Sequence, residues 1–436
     1  MRLGIRVSLA ALAASCIAVT AAGCGSAPAA APGGKTAADL ASVRGVAAAE
    51  PAADPRPLGA ADTAFGLSVL RAWCAQYPGQ NLVFSPSTLA SALGMAYLGA
   101  RGATARAMAR ALDLPATGTA TDALAAQLQA RSKALTGLDG PGVTLAAVNQ
   151  VWADPALPPL SGYLNAVATG YGAGLDKAPF SSDPAKAAAE INQAIAAQTR
   201  GHITKLVTPD GVADLGWMLT SALYMNARWA TPFDVAQTAP GSFTPAGARP
   251  GTARFMNGGA FRYTTTDGWT AVSLPYKGGK LAMTALLPPA GAGSCALPTT
   301  TALHAMAGVL ATPATGSPAT TTAVSLPKVS LAITGDTGNM SSVLKRLGMG
   351  QAFSGTADFT GLSPQAGAIG SVQQAATLQV GEKGTVGTAA SAVAITASAA
   401  RLAPQTVTFN RPYLMLVTDT ATGEPLFLAK VADPSA

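Results

Sequence analysis

The spacing of hydrophobic and polar residues predicts helices mainly in the first half of the chain and strands mainly in the second half. Phe65, Val69 and Leu70 recur at helical spacing, and Ser85-Pro86-Ser87 is typical of the start of a second helix. Further helices are predicted over residues 124–136, 184–200 and 342–347. Apolar and β-branched runs, most of them bounded by glycine or proline, predict strands at 144–152, 217–225, 271–275, 281–287, 324–329, 376–380 and 413–418.

The order of these elements indicates the fold class. Helices and strands do not alternate regularly along the chain, which favours an α+β fold with mainly antiparallel sheets over a doubly wound parallel sheet. No charge run or polar linker interrupts residues 62–434. We therefore expect one large domain over residues 61–434.

The N-terminus has the pattern of a secretory signal over residues 1–23. Arg2 and Arg6 precede an apolar run over 7–19, which is too short for an ordinary membrane-spanning helix. The small residues directly before Cys24 resemble the lipobox of bacterial lipoproteins, in which the cysteine becomes the lipidated first residue. This resemblance implies a secreted protein that is lipid-anchored through Cys24 on the outer face of the cell membrane. Plain secretion with an incidental Cys24 is the alternative.

Residues 24–60 are rich in alanine, proline and glycine and contain no aromatic residue. That composition is typical of a flexible tether. We expect this segment to hold the domain away from a membrane surface.

Charge and cysteine content exclude several classes of function. The net charge of +7 is scattered and is not interleaved with aromatic residues, which argues against a nucleic-acid partner. Arg101, Arg106 and Arg110 are interpreted as a solvated helix face.

Cys16 would leave with the signal. Cys74 and Cys295 are too few for a disulfide scaffold or a zinc site, so we expect two buried small hydrophobic residues, with a single bridge between them as the alternative.

The sequence also argues against an enzyme and predicts no cofactor or metal. The chain has two histidines, His202 and His304, and no serine in a Gly-x-Ser-x-Gly motif. We expect structural or solvated roles for both histidines. The segment KGGK at 277–280 lacks the spacing of a phosphate-binding loop and predicts a hairpin turn. Asp358 is expected to cap a turn.

The most informative segment is 380–413, whose central part, 386–400, contains no charge and no proline. Small and β-branched residues suit either an exposed loop or a strand in a sheet. Because strand side chains alternate, every second residue from Thr385 to Ile395 would share one face. That face carries no charged residue, and burying an unpaired charge there would cost several kcal/mol.

Several separate motifs resemble the serpins, in chain order over essentially residues 62–434. They are NLVFSPSTLASAL (81–93), LGARGAT (98–104), IN (191–192) with TRGHI (199–203), ALYMNARW (222–229) with PF (232–233), FNRPY (409–413) and GEPLF (423–427). The resemblance implies three β-sheets, eight or nine helices, an exposed reactive-centre loop and a monomer. In inhibitory serpins a serine protease cleaves this loop and is trapped as an acyl-enzyme while the loop inserts into the main sheet.

The resemblance also assigns roles within the loop. The proximal hinge aligns with Glu382, Gly384, Thr385, Gly387, Ala389 and Ala390. Val386 stands where the hinge usually carries glutamate. Counting the family's usual span of about seventeen residues from Glu382 places the scissile bond at Ser398–Ala399, with slippage to Ala397. These small residues imply an elastase-like or subtilisin-like target, whereas cleavage at Arg401 would imply a trypsin-like one and a longer loop.

Beneath the point where the main sheet opens, serpins usually pair an asparagine with a histidine. Alignment puts Ser221 and Gln374 at these positions, and it retains the supporting residues Ser85 and Thr88 and the strand tryptophan Trp229. A glutamine can donate and accept, so Ser221 and Gln374 could form a substitute hydrogen bond without histidine-linked pH sensitivity. A non-inhibitory serpin-fold binding protein, whose loop is only a substrate, is the alternative function. A generic substrate-binding lipoprotein would lack the hinge and the C-terminal motif.

Overall fold

A computed structural model of the protein describes residues 42–114, 122–311, 321–385 and 405–435. The described residues contain nine α-helices. They are α1 (Arg56–Gln76), α2 (Pro86–Gly99), α3 (Gly102–Ala111), α4 (Asp122–Thr136), α5 (Ser161–Tyr171), α6 (Pro184–Gln198), α7 (Pro209–Val212), α8 (Thr300–Ala311) and α9 (Ser341–Arg346). The predicted start of α2 is confirmed, because the Ser85 side chain accepts a hydrogen bond from the Thr88 backbone N–H and Pro86 occupies the first turn.

Sixteen strands lie in the described residues. They are β1 (Ser42–Val43), β2 (Leu82–Phe84), β3 (Val143–Ala153), β4 (Leu175–Lys177), β5 (Trp217–Arg228), β6 (Ala239–Phe243), β7 (Gly251–Thr266), β8 (Trp269–Pro275), β9 (Leu281–Leu287), β10 (Thr321–Pro327), β11 (Val329–Ile333), β12 (Ser371–Gly381), β13 (Gly384–Thr385), β14 (Thr406–Thr408), β15 (Tyr413–Asp419) and β16 (Pro425–Val431). The predicted hairpin turn at 277–280 joins β8 to β9, with positive φ at Gly278 and Gly279.

The predicted α+β class is confirmed, and most strand pairs are antiparallel. The first sheet has the order β1-β4-β3-β5-β13-β12-β11, and the second has the order β14-β10-β7-β8-β9-β15-β16-β2 with β6 beside β7. The described strands thus form two continuous sheets where three were expected. The reason is the long strand β7, whose first part pairs with β6 and β10 and whose last part pairs with β8, so it runs from one part of the second sheet into the other.

Helices cover both faces of the first sheet at its central strand β5. Leu219 and Leu223 of β5 belong to the main core together with α2, whereas Met218 and Ala222 pack with Ile191 of α6. This alternation follows from the period of a strand, whose successive side chains point to opposite faces. The centre of the sheet is therefore fully enclosed.

The tether expected over residues 24–60 is wrong for its second part. β1 pairs with β4, the backbone N–H of Val46 donates to Asn165 Oδ1 at 2.8 Å, and α1 already begins at Arg56. Gly45 lies so close to the Leu164 backbone that a Cβ on Gly45 would be 2.3 Å from the Leu164 carbonyl carbon. Backbone contacts hold much of this segment, and Val43 and Leu58 add apolar packing against the core, which its alanine-rich composition did not reveal. The expected signal peptide and Cys24 lie outside the described residues.

The expectation that Cys74 and Cys295 are unbridged is also wrong. The two residues form a disulfide, with their Cα atoms 5.7 Å apart, which joins the end of α1 to the loop between β9 and α8. The Cα separation lies within the range that a disulfide can span. The single bridge that the sequence analysis left as the alternative is the one observed.

Candidate functional site

The candidate site is the seam between the two central strands β5 and β12 of the first sheet. These strands pair directly and in parallel only from Met218–Ser371 to Leu223–Ala376. Further along, β13 lies between them. Thr385 pairs with Ala227 of β5 and with Val380 of β12, and the pairing is antiparallel on both sides. Two residues of the proximal hinge, Gly384 and Thr385, are therefore already a strand of this sheet.

Only glycine fits the position at which the chain enters the seam. Gly384 has a φ of +150°, and a Cβ at this residue would lie 2.1 Å from the carbonyl oxygen of Ala227. Any side chain would push the entering strand away from β5. Thr385, which follows, is 1% exposed, and its hydroxyl lies 2.5 Å from the hydroxyl of Tyr276. Burial raises the pKa of the Tyr276 phenol, so this phenol stays protonated at neutral pH.

Trp229 holds the turn that connects β12 to β13. Its indole Nε1 donates to the carbonyl oxygen of Gly381 at 2.9 Å, and its backbone N–H donates to the carbonyl oxygen of Lys383 at 3.0 Å. The indole ring stacks on Tyr276 with ring centroids 4.5 Å apart. The backbone N–H of Phe233 donates to the carbonyl oxygen of Glu382 at 2.9 Å. The turn is thus fixed by contacts to its backbone that do not depend on its own side chains.

The Glu382 side chain adds a charged anchor to the same turn. Its carboxylate lies 3.0 Å from Lys328 Nζ and accepts a hydrogen bond from the Thr238 hydroxyl at 2.9 Å. Partial burial acts to raise the pKa of Glu382. The hydrogen bonds from its own backbone N–H, Lys328 and Thr238 outweigh that effect and hold the pKa below its ordinary value. Glu382 is consequently ionised and bonded at neutral pH.

A buried polar cluster closes the seam where β5 and β12 pair directly. Gln374 lies opposite Ser221 in the register, and its Nε2 donates to Ser221 Oγ at 3.0 Å and to the carbonyl oxygen of Ser85 at 2.9 Å. The Ser221 hydroxyl donates to Thr88 Oγ1 at 2.8 Å. These four side chains are 0% exposed. The substitute hydrogen bond expected between Ser221 and Gln374 is present, and it ties both strands to the start of α2.

One member of this cluster was missed in the sequence. Asn149 of β3 lies opposite Ser221, and its amide nitrogen, in the orientation that satisfies both ends of the amide, donates to the carbonyl oxygen of Thr88 at 2.7 Å. The signal that could have revealed it is the pair of amide side chains Asn149 and Gln150 within a largely apolar strand. The cluster thus spans β3, β5, β12 and α2.

Seven of the residues proposed from the sequence for the loop cannot be placed. Gly387, Ala389, Ala390, Ala397, Ser398, Ala399 and Arg401 lie outside the described residues, as does Cys24. By contrast, the structure brings Glu382, Gly384, Thr385 and Trp229 together at one end of the seam and the polar cluster further along it.

The other candidate residues form no catalytic arrangement within the described part of the chain. His202 is exposed and stacks on Tyr224, with ring centroids 3.7 Å apart, and His304 is exposed on α8. Asp358 caps a turn, as predicted, by accepting hydrogen bonds from the backbone N–H and the hydroxyl of Thr360. Arg101, Arg106 and Arg110 lie on and beside α3, and all three are exposed. No group of three potential metal ligands occurs in the described ranges.

No helix in the described residues is both long enough and apolar enough to cross a bilayer.

Known proteins are similar to this chain in sequence and in fold. Residues 60–434 match the family model described as serpin (serine protease inhibitor). The chain is 30% identical to an uncharacterised serpin-like protein of Thermococcus kodakarensis, over 81% of each chain. It is 31% identical to a serine proteinase inhibitor of Cavia porcellus, over 85% of this chain and 88% of that protein. Human thyroxine-binding globulin has a similar fold, with a TM-score of 0.73 and 23% identity, over 87% of this chain and 99% of that one.

The polar cluster gives the first prediction. In Gln374→Met the Ser85 carbonyl and the Ser221 hydroxyl lose their buried donor, and we expect the free energy of unfolding to fall by about 2–3 kcal/mol. The measurement is the midpoint of urea denaturation.

The matched control is Gln373→Met, one residue earlier on β12. The Gln373 side-chain oxygen has no hydrogen-bond partner among the described residues, so this change should cost less than about 1 kcal/mol. Equal losses in the two variants would contradict a closing role for Gln374.

The Glu382 anchor gives a prediction about pH. Because the folded-state pKa of Glu382 is lowered, its stabilising contribution is present above the unfolded pKa of about 4.3 and is lost as the pH falls through the folded value. At pH 7 we expect Glu382→Gln to speed amide hydrogen exchange at Gly384 and Thr385 about two- to fivefold. This size fits a partly exposed ion pair.

The difference from the wild-type protein should shrink as the pH falls through the lowered folded-state pKa of Glu382, because the carboxylate then becomes neutral. Glu190→Gln, which removes an exposed pair with Lys186, is the matched control and should not change exchange at the hinge. A pH-independent effect of Glu382→Gln would rule out the charged anchor.

Proposed function

The chain belongs to the serpin family, and from this premise we propose that it inhibits a serine protease by acting as a suicide substrate. Most serpins inhibit serine proteases, while some, such as thyroxine-binding globulin and ovalbumin, do not. In the proposed mechanism an elastase-like or subtilisin-like protease cleaves at about Ser398–Ala399. The freed segment then enters the seam between β5 and β12 as a new strand while the protease is still attached as an acyl-enzyme.

The observation that carries this proposal is the position of Gly384 and Thr385 between β5 and β12. Thr385 pairs with both strands, so each further residue that enters would pair one residue further back on both of them. The direct pairing of β5 with β12 is parallel, and the new strand would replace it with two antiparallel pairings, which are slightly more stable per residue. Strand addition of this kind therefore supplies a driving force in this sheet.

The register of β13 makes the proposed end state specific. Ser391 comes six residues after Thr385. Because the pairing is antiparallel, Ser391 would lie opposite Ser221, which comes six residues before Ala227 on β5. On β12 it would lie opposite Gln374, which comes six residues before Val380. Thr385 and Ser391 are an even number of positions apart and so would share one face. The Ser391 hydroxyl would then be able to hydrogen-bond to the buried cluster when insertion breaks the hydrogen bond between Ser221 and Gln374.

The rest of the inserting face suits burial in the same way. Gly387 and Ala389 are small, and Val393 and Ile395 are larger and apolar. Ordering about 15 residues costs on the order of 1–2 kcal/mol of backbone entropy each, so the apolar face and the new hydrogen bonds must outweigh this cost. The small residues at the proposed bait, over 397–399, favour a protease with a restricted specificity pocket.

The decisive experiment is incubation with purified elastase-like and subtilisin-like proteases, followed by denaturing gels. We expect a covalent complex and a cleaved protein with a higher melting temperature. Thr385→Arg would bury an unpaired charge in the seam, which should convert the inhibitor into a substrate and raise the stoichiometry of inhibition about tenfold or more.

Thr265→Arg is the control, because Thr265 is exposed near the end of β7, and it should leave inhibition unchanged. Clean cleavage without a complex and without thermal stabilisation would favour the alternative, a serpin-fold protein whose loop is only a substrate. An unchanged stoichiometry in Thr385→Arg would contradict insertion through this seam.

We also propose that the protein is exported and lipid-anchored through Cys24. The disulfide between Cys74 and Cys295 supports export, because such bonds persist mainly in oxidising compartments. We expect Cys24→Ala to move the protein from the membrane fraction to the soluble fraction of cells, while Cys16→Ala should not. Continued membrane attachment of Cys24→Ala would count against the anchor.

A further inference from the structure

A buried lysine contacts the disulfide. Lys430, near the end of β16, is 2% exposed, and its Nζ lies 3.2 Å from Cys74 Sγ and donates to the carbonyl oxygen of Pro78. No carboxylate forms an ion pair with Lys430 within the part of the chain that the structure describes. Lysine is rarely buried without a charged partner. This cation therefore lies in an environment that favours a nearby negative charge.

The pKa of Lys430 agrees with this geometry. Burial lowers the pKa of its ammonium to about 8, with no neighbouring carboxylate to oppose the effect. A negative charge on Cys74 Sγ would provide the missing partner. That charge appears when the disulfide is reduced and Cys74 leaves as a thiolate.

The two sulfurs differ in their access to solvent. Cys74 is 1% exposed at the end of α1, whereas Cys295 is partly exposed in the loop between β9 and α8. An incoming thiol can therefore reach Cys295 more easily than Cys74. The carbonyl oxygen of Ser294, which lies 3.7 Å from Cys74 Sγ, belongs to the same loop as Cys295 and can move away with it. Access and charge thus favour the same direction of exchange.

We propose that the bridge between Cys74 and Cys295 is a directional exchange site for low-molecular-weight thiols, with Lys430 stabilising the leaving group. A thiolate attacks Cys295 Sγ, a new disulfide forms between that thiol and Cys295, and the original sulfur–sulfur bond breaks. The electron pair of the broken bond stays on Cys74 as a thiolate beside the Lys430 ammonium. Exchange releases the loop between β9 and α8 from α1 and leaves Cys295 modified. This proposal does not depend on protease inhibition.

The test uses the full chain with Cys16→Ser and Cys24→Ser, so that Cys74 and Cys295 are the two remaining cysteines. The protein is treated with reduced glutathione, quenched with iodoacetamide and mapped by peptide mass spectrometry. We expect glutathione on Cys295 and the alkyl group on Cys74. Lys430→Met, which replaces an unpaired buried cation with an apolar side chain of similar volume, should slow the exchange about tenfold.

Lys205→Met, at an exposed position, is the control and should exchange at the wild-type rate. Glutathione found mainly on Cys74, or an unchanged rate in Lys430→Met, would overturn the proposal. A second measurement avoids the Lys430 variant altogether. With Cys295→Ser, titration of the thiolate by ultraviolet absorbance should give Cys74 a pKa below the ordinary value of about 8.5. A value at or above about 8.5 would also overturn the proposal.

Discussion

Strands β5 and β12 can hydrogen-bond to each other or to a strand between them, but the same residues cannot do both. Backbone N–H and C=O groups buried within a sheet must be paired, so each stretch of the seam is either closed or filled. In this protein both states coexist in one pair of strands, which are closed up to Leu223 and Ala376 and filled at Ala227 and Val380. The turn at Glu382, the stack of Trp229 on Tyr276 and the polar cluster all act on the boundary between the two states.

The polar cluster determines how firmly the closed stretch holds. A histidine at position 374 would make its hydrogen bonds depend on protonation near neutral pH, whereas a glutamine keeps its donor and acceptor at any physiological pH. Gln374 contacts α2 as well as Ser221, so opening the strands also breaks contacts to the core. Ser391, if it enters, would restore part of what is lost. Ser221 and Gln374 thus hold the closed stretch through uncharged groups alone.

The sequence predicted those features that depend on local chemistry. The start of α2 follows from Ser85 and Pro86, and the hairpin between β8 and β9 follows from two adjacent glycines. The motifs that resemble the serpins gave the fold and the pairing of Ser221 with Gln374. Strand β7 was missed because glycines and polar residues interrupt its pattern. The contact between Lys328 and Glu382, and the disulfide across 221 positions, depend on tertiary distances that no local pattern encodes.

The two residues of β13 also limit how the loop can vary in length. In the proposed inserted state these two residues would fix the register, so a single residue inserted between Thr385 and Ser391 would turn every later side chain to the opposite face of the sheet. The hydroxyl meant for the buried cluster would then point away from α2, and the side chains of the other face would take its place. Changes in length are harmless to this alternation only in steps of two, or beyond Ile395, where the apolar face ends. If the segment inserts as proposed, its first half is therefore restricted in length by the register of β13, whereas the residues beyond Ile395 are not.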